Sequence, residues 1–196
     1  MAPPRGEHFL AASRLVHYKN VEPIVRAFGL LPDLKLVVAG DGPEASRLRA
    51  LASPNVSFVG YVADEELRRL MASARAFVFA AEEDFGIVPV EAMSEGTPVL
   101  ALERGGVRET VVVRRTGMFF PSPSPDDIAA CVRNFVKEEH TFSPENCKIQ
   151  ASRFSPERFR TEFKAFIDSV MERSHSDLEA SPAARRAAVQ SLSRPL

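Results

Sequence analysis

The chain has 196 residues, 45% of them apolar, which suits one domain of ordinary size with a buried core. Lys and Arg number 25 against 26 Asp and Glu, and a formal charge of −1 excludes a global electrostatic case for binding nucleic acid or an anionic membrane. Cys131 and Cys147 cannot make a disulfide framework, fit no metal-ligand spacing, and read as reduced thiols of an intracellular protein.

Short apolar runs alternate with amphipathic stretches along the chain. Residues 8–13 (HFLAAS) predict a first strand, followed by a polar loop and a helix over 21–30. Residues 34–39 (LKLVVA) form a second strand that ends at Gly40-Asp41-Gly42-Pro43, with a helix over 44–52. A third strand, 56–59, precedes a helix that Asp64 should N-cap and that runs to about Ala74, its first turn favoured by Glu65 and Glu66. Residues 76–81 (AFVFAA) predict the fourth strand and 87–95 a helix punctuated by Gly96 and Pro98. The fifth strand is 99–102, with a short helix at 107–112, a sixth strand at 118–120 and a helix over 126–137. Strands flanked by helices and lacking polar alternation predict a doubly wound, Rossmann-like parallel sheet of about six strands with helices on both faces.

Residues 155–172 carry Phe159, Phe163, Phe166, Ile167 and Val170 near helical spacing. Residues 174–196 differ in kind, with five Ser, five Ala, two Pro and no aromatic, and are expected to be a disordered tail. The domain proper is therefore 1–173. No apolar run approaches the ~20 residues of a spanning helix, and the first eight residues lack the apolar core of a signal peptide.

Ligands of an open parallel sheet sit outside the carboxyl ends of its strands, and the informative residues fall there. Arg14 and Lys19 follow the first strand; two cations on such a loop suit a diphosphate, or are simply solvated charges. Gly40-Asp41-Gly42 is half of a dinucleotide fingerprint, but Ala45 stands where the third glycine belongs, so a nicotinamide enzyme gains little support. Glu83 lies after the fourth strand and Glu91 on the next helix, with seven residues between. Gly86 allows a tight turn that would aim the amides of Phe85, Gly86 and Ile87 outward at a helix N-terminus, a setting for an anion or sugar hydroxyls. A carboxylate on the first turns can accept from both hydroxyls of a ribose; the alternative for Glu83 and Glu91 is a charged surface. Arg104, Arg108, Arg114 and Arg115 form a local basic cluster, either solvated or available to phosphate or acidic lipid headgroups. His17 reads as a loop histidine, and His8, His140 and His175 belong to no constellation.

The stretch EEDFGIVPVEAMSEGTPV at 82–99, with seven residues between Glu83 and Glu91, resembles the donor-site motif of the retaining family-4 glycosyltransferases of GT-B fold. SRL…K at 13–19, GDGP at 40–43 and GG…ET at 105–110 match that family in order and spacing, and the resemblance covers about 8–172. The FGIVP variant is similar to mannosyltransferases acting on lipid-linked oligosaccharides and surface polysaccharides. The resemblance implies catalytic roles for Arg14 and Lys19, binding the donor diphosphate and stabilising its departure, and for Glu83, contacting the donor sugar. Glu91 would hold the ribose, the amides of Phe85, Gly86 and Ile87 the sugar hydroxyls or distal phosphate, and the backbone near Gly60 and Val62 the base. It further implies GDP-mannose or a UDP-hexose as donor and retention through an oxocarbenium-like transition state. No metal or other cofactor is expected, in keeping with the lack of an Asp-x-Asp pair.

A full GT-B enzyme has two Rossmann-like domains, and this chain matches the C-terminal, donor-binding one. With seven residues before the first strand there is no room for the acceptor domain, so that domain is expected in cis on a longer chain or in trans on another. The last helix of the family commonly crosses to that domain, so 155–172 is expected to expose apolar area. The expected location is cytoplasmic, with peripheral association at the cytosolic face of a membrane, and no nucleic-acid partner is expected. A non-catalytic nucleotide-sugar-binding or regulatory module, or one half of a split enzyme, remains the alternative.

Overall fold

A computed structural model of the chain describes residues 6–180, with side chains through residue 173. Six strands, β1 (His8–Ala12), β2 (Lys35–Ala39), β3 (Val56–Gly60), β4 (Phe77–Phe79), β5 (Val99–Leu102) and β6 (Gly117–Phe120), form one sheet in the order β3-β2-β1-β4-β5-β6. Every pairing is parallel. The expected doubly wound sheet is therefore present, and its order reverses between β1 and β4. Such a switch point leaves a crevice at the carboxyl ends of the strands, where the two connections diverge to opposite faces.

The pleat explains why the central strands are largely apolar on both faces. Phe9 and Ala11 of β1 join one buried cluster, while Leu10 and Ala12 join the other. The first cluster is completed by Ile24, Val25 and Phe28 of α1 (Val21–Gly29), Leu48 of α2 (Ala45–Leu51), and Ile128, Val132 and Phe135 of a helix spanning Pro125–Glu138. The second takes Met71 of α3 (Asp64–Ser73), Ala92 and Met93 of α4 (Ile87–Ser94), and Val107 of α5 (Val107–Thr110). The helix over Pro125–Glu138 is α6; it is N-capped by Ser124, which accepts from the Asp127 amide, with Pro125 in its first turn. A helix the sequence left unassigned, α7 (Pro144–Ser152), starts in the same way at Ser143 and buries Cys147 and Ala151 in the second cluster. Both cysteines are buried and form no disulfide, and burial pushes the Cys131 thiol up to about 12.

Several expected boundaries shift for identifiable reasons. Strand β4 stops at Phe79 rather than reaching Ala81, because the Ala80 carbonyl accepts from the Asn20 side chain at 3.0 Å and leaves the ladder. Asp64 is the first helical residue of α3 rather than its N-cap; Ala63 holds that position without a side-chain bond, and Asp64, Glu65 and Glu66 share the first turn. Helix α5 ends two residues early because Thr116 folds back on Val112, whose amide it accepts at 2.9 Å. The final helix, α8 (Pro156–Ala180), continues past Ser174, where the disordered tail was expected to begin. The sequence offers no Gly or Pro between Pro156 and Pro182 to stop it. The remainder of that tail, 181–196, lies outside the described residues.

The described residues fall into two compact units, one ending at Arg153 and the other beginning at Phe154. Within α8, Phe159 and Phe163 stack at 5.5 Å, and Arg158–Glu162 and Lys164–Asp168 pair at 2.6 Å. Phe159, Phe163 and Phe166 are more than half exposed, in keeping with the apolar exposure that the family resemblance implied for this segment. Among the described residues no helix is long and apolar enough to cross a membrane.

His8, at the start of β1, carries a consequence for stability. Burial holds its imidazole below the ordinary value of 6.5, against a smaller opposing effect of the Leu70 backbone, and its Nε2 has no hydrogen-bond partner. The unfolded chain thus takes up this proton first as pH falls. The stability due to neutral His8 is complete above about pH 6.5 and is lost as pH drops through the lower folded value. His8→Gln is expected to flatten the pH dependence of the urea midpoint between about pH 7.5 and 5.5. An unchanged slope in the variant would remove His8 as the acid-sensitive group.

Candidate functional site

At the carboxyl edge of the sheet, the turns after β1, β2 and β3 interlock. The Leu15 amide donates to the Asp41 carbonyl at 2.9 Å and the Gly40 amide to the Gly60 carbonyl at 2.7 Å. Gly40 sits at φ 118°, and a Cβ there would lie 1.9 Å from the Ser13 carbonyl oxygen, so glycine is what allows the β1 and β2 turns to touch. The Asp41 carboxylate closes the turn by accepting from the Gly42 amide at 2.8 Å. The GDGP segment thus shapes a wall and does not depend on a third glycine.

These turns enclose a cavity of about 390 Å³ between β1, β2 and β3, lined by Arg14, Gly40, Asp41, Tyr61, Val62 and Asp64, with Val88 of α4 on its far side. An adjoining cleft of about 230 Å³ is lined by Glu91 and Arg68 and shares Asp64 and Leu67 with the cavity. The structure therefore brings Arg14 and Val62 together and stands Glu91 next door, across a common wall. Gly60 supports the base of the site through its carbonyl rather than lining the cavity.

Across the switch point, Lys19 ends a 3₁₀ turn (His17–Lys19) and its Nζ donates to Oε1 of Glu83, in the loop after β4. The two side chains are 20% and 24% exposed. Both ends are anchored. Asn20, at φ 52°, donates to Ala80 and ties the lysine turn to the end of β4, while the Gly106 amide donates to the Glu83 carbonyl at 2.8 Å. Gly105 and Gly106 let the loop after β5 lie against the Glu83 loop: a Cβ on either would come within 2.3 Å of the Glu83 or Asp84 carbonyl oxygen. Gly86 takes the N-cap of α4 at φ 79°, and the amides of its first turn, Ile87 among them, have no intrahelical acceptor. Phe85 and Ile87 are exposed beside it.

Asn20, Tyr61 and Asp64 are site residues that the sequence reading did not single out. Tyr61 follows β3 directly, so its place at a strand's carboxyl end was available as a signal. Asn20 carried none, because its partner lies sixty residues away. Of the basic cluster, Arg104 faces Glu82 at 4.0 Å, Arg114 faces Glu138 at 3.5 Å, and Arg108 borders an open depression with Asp84, Gly105, Gly106 and Glu109.

Comparison with known proteins agrees with this fold. The family model "Glycosyl transferases group 1" matches residues 2–154. A GDP-mannose-dependent alpha-mannosyltransferase of Mycobacterium tuberculosis is 38% identical over 111 residues, covering 55% of this chain and 28% of that one. The sulfoquinovosyl transferase SQD2 of Arabidopsis thaliana is 34% identical over 120 residues, covering 58% of this chain and 23% of its own. Among solved structures, Anabaena Alr3699/HepE in complex with UDP and glucose superposes with a TM-score of 0.74 at 23% identity, covering 84% of this chain and 49% of that one. The chain thus spans about a quarter of the length of these two relatives and about half of the structural neighbour. With most of its length matched by the family model and the same parallel α/β sheet, the chain belongs to the glycosyl transferases group 1 family.

Proposed function

We propose that the chain is the nucleotide-sugar donor-binding domain of a retaining, family-4 hexosyltransferase that takes GDP-mannose or a UDP-hexose and delivers the sugar to a lipid-linked or polysaccharide acceptor. The observation that carries this reading is that Arg14 and the Lys19–Glu83 pair stand on the two loops that open from β1 and β4 at the switch point, with Glu91 on the helix that follows β4. Arg14 and Lys19 are cations at the place where a diphosphate would lie, and charge-assisted bonds to phosphate are about twice as strong as neutral ones. As the bond from sugar to phosphate lengthens, charge grows on the diphosphate and on the ring. Fixed cations stabilise the first without a metal or other cofactor. Tyr61 and Val62 supply a surface for the base, and Glu91 an acceptor for ribose hydroxyls. The first-turn amides of α4 and Glu83 face the sugar.

Support for mannose comes from the mannosyltransferase relatives, and support for a nucleotide diphosphate from the UDP complex of the structural neighbour. Turnover in this reading requires an acceptor-binding domain in cis or trans, with Arg104, Arg108, Arg114 and Arg115 as cations for a membrane-held acceptor at the cytosolic face. The assignment of Glu91 has a direct test. Wild-type protein is expected to bind the ribonucleotide about tenfold more tightly than its 2′-deoxy analogue, and Glu91→Ala is expected to lose that preference. Equal discrimination in both proteins would place the ribose elsewhere.

A further inference from the structure

We infer that the Lys19–Glu83 pair makes the site sense whether the diphosphate carries a sugar: Glu83 withholds Lys19 from a bare nucleoside diphosphate and releases it when sugar hydroxyls take over the carboxylate. This rests on the donor-site reading above and adds to it a coupling between the two halves of the ligand. The pair joins the two loops that flank the switch point, and each partner stands on a fixed backbone, Lys19 through the Asn20–Ala80 bond and Glu83 through the Gly106 amide. With both side chains mostly buried, the contact belongs to the built site and is more than a passing surface ion pair. The Lys19 ammonium also lies 5.2 Å from the Tyr18 ring, which further limits where it can go.

The chemistry of the exchange follows from the two groups. An ionised carboxylate only accepts hydrogen bonds, and an ammonium only donates them. A diphosphate drawn to Lys19 brings several negative charges beside Glu83, and the carboxylate then either repels them or must find other donors. Sugar hydroxyls are such donors, and phosphate oxygens are not. A nucleotide sugar therefore satisfies both partners at once, with hydroxyls on Glu83 and phosphate on Lys19. A bare nucleoside diphosphate satisfies only Lys19 and leaves Glu83 facing like charge. The same exchange runs backwards after sugar transfer, when Glu83 reclaims Lys19 and loosens the product.

Titration calorimetry with GDP, UDP and the matching nucleotide sugars tests this on the whole chain. Glu83→Gln, which keeps the shape and removes the charge, is expected to bind the bare diphosphate about three- to tenfold more tightly than wild type while binding the nucleotide sugar no better or worse. The preference for the sugar-bearing ligand should then fall by about tenfold or more. Glu83→Ala should shift the bare diphosphate in the same direction, and thermal unfolding of both variants establishes that they are folded. Unchanged or weaker binding of the bare diphosphate in both variants would overturn the coupling while leaving the donor site standing. Absence of any nucleotide binding by wild-type protein would remove the donor-site reading and the coupling with it.

Discussion

Lys19→Ala is expected to weaken binding of a nucleotide sugar about a hundredfold, more than Arg14→Ala, for which about tenfold is expected. The difference has a structural cause. Arg14 is an exposed cation on the rim of the cavity, and its removal forfeits its own contacts with phosphate. Removing Lys19 does that and also strands the Glu83 carboxylate, mostly buried and without its ammonium partner, beside the place the diphosphate must occupy. The double variant Lys19→Ala, Glu83→Gln is accordingly expected to recover part of the loss, a non-additivity that a double-mutant cycle reads directly. Arg14→Ala should leave the unfolding midpoint within about 3 °C, while Lys19→Ala should lower it further because it leaves the Glu83 carboxylate unpaired. Calorimetry and a thermal melt on the same preparations separate the two effects. A Lys19→Ala protein that binds as wild type would take the diphosphate out of this crevice.

Gly106→Ala is expected to cost about 2–3 kcal/mol of stability and to abolish recognition of the sugar half of the ligand. The backbone of Gly106 is ordinary helical, φ −65°, so alanine meets no conformational objection there. The obstacle is space. A Cβ would lie 2.3 Å from the Asp84 carbonyl oxygen and 2.6 Å from the Phe85 Cα, both backbone atoms that cannot rotate aside. The loop after β4 must move, and with it the Glu83 carbonyl that the Gly106 amide holds and the entry to α4 at Gly86. Denaturant unfolding measures the first effect. The second is read as a nucleotide sugar that binds no better than its bare diphosphate. A variant as stable as wild type would show that this loop yields more readily than its packing implies.

The sheet was legible because burial on both faces leaves a plain trace, short runs of mostly apolar residues with amphipathic helices between them. Turn chemistry marked the candidate residues: Arg14, Lys19 and Glu83 lie in the loops beyond the carboxyl ends of β1 and β4, and Glu91 on the helix that follows β4. What the sequence did not carry were contacts between distant segments. The Asn20–Ala80 bond, which shortens β4, and the closure of Lys19 on Glu83 join residues more than fifty positions apart. A motif read one loop at a time assigns Lys19 to phosphate and Glu83 to sugar, and misses that each is the other's partner. Helix ends failed for the opposite reason. Asp64 and Ser174 are unremarkable locally, and the choice between cap and first turn, or between tail and helix, rests on small differences in the energy of a single turn.

The most direct test of the donor-site account is a calorimetric titration of the purified chain with GDP, UDP and ADP, followed by the same titration of Arg14→Ala. The account predicts saturable, one-to-one binding of one nucleotide and a loss of about tenfold in the variant. No saturable binding of any of the three, or equal binding by variant and wild type, would contradict it.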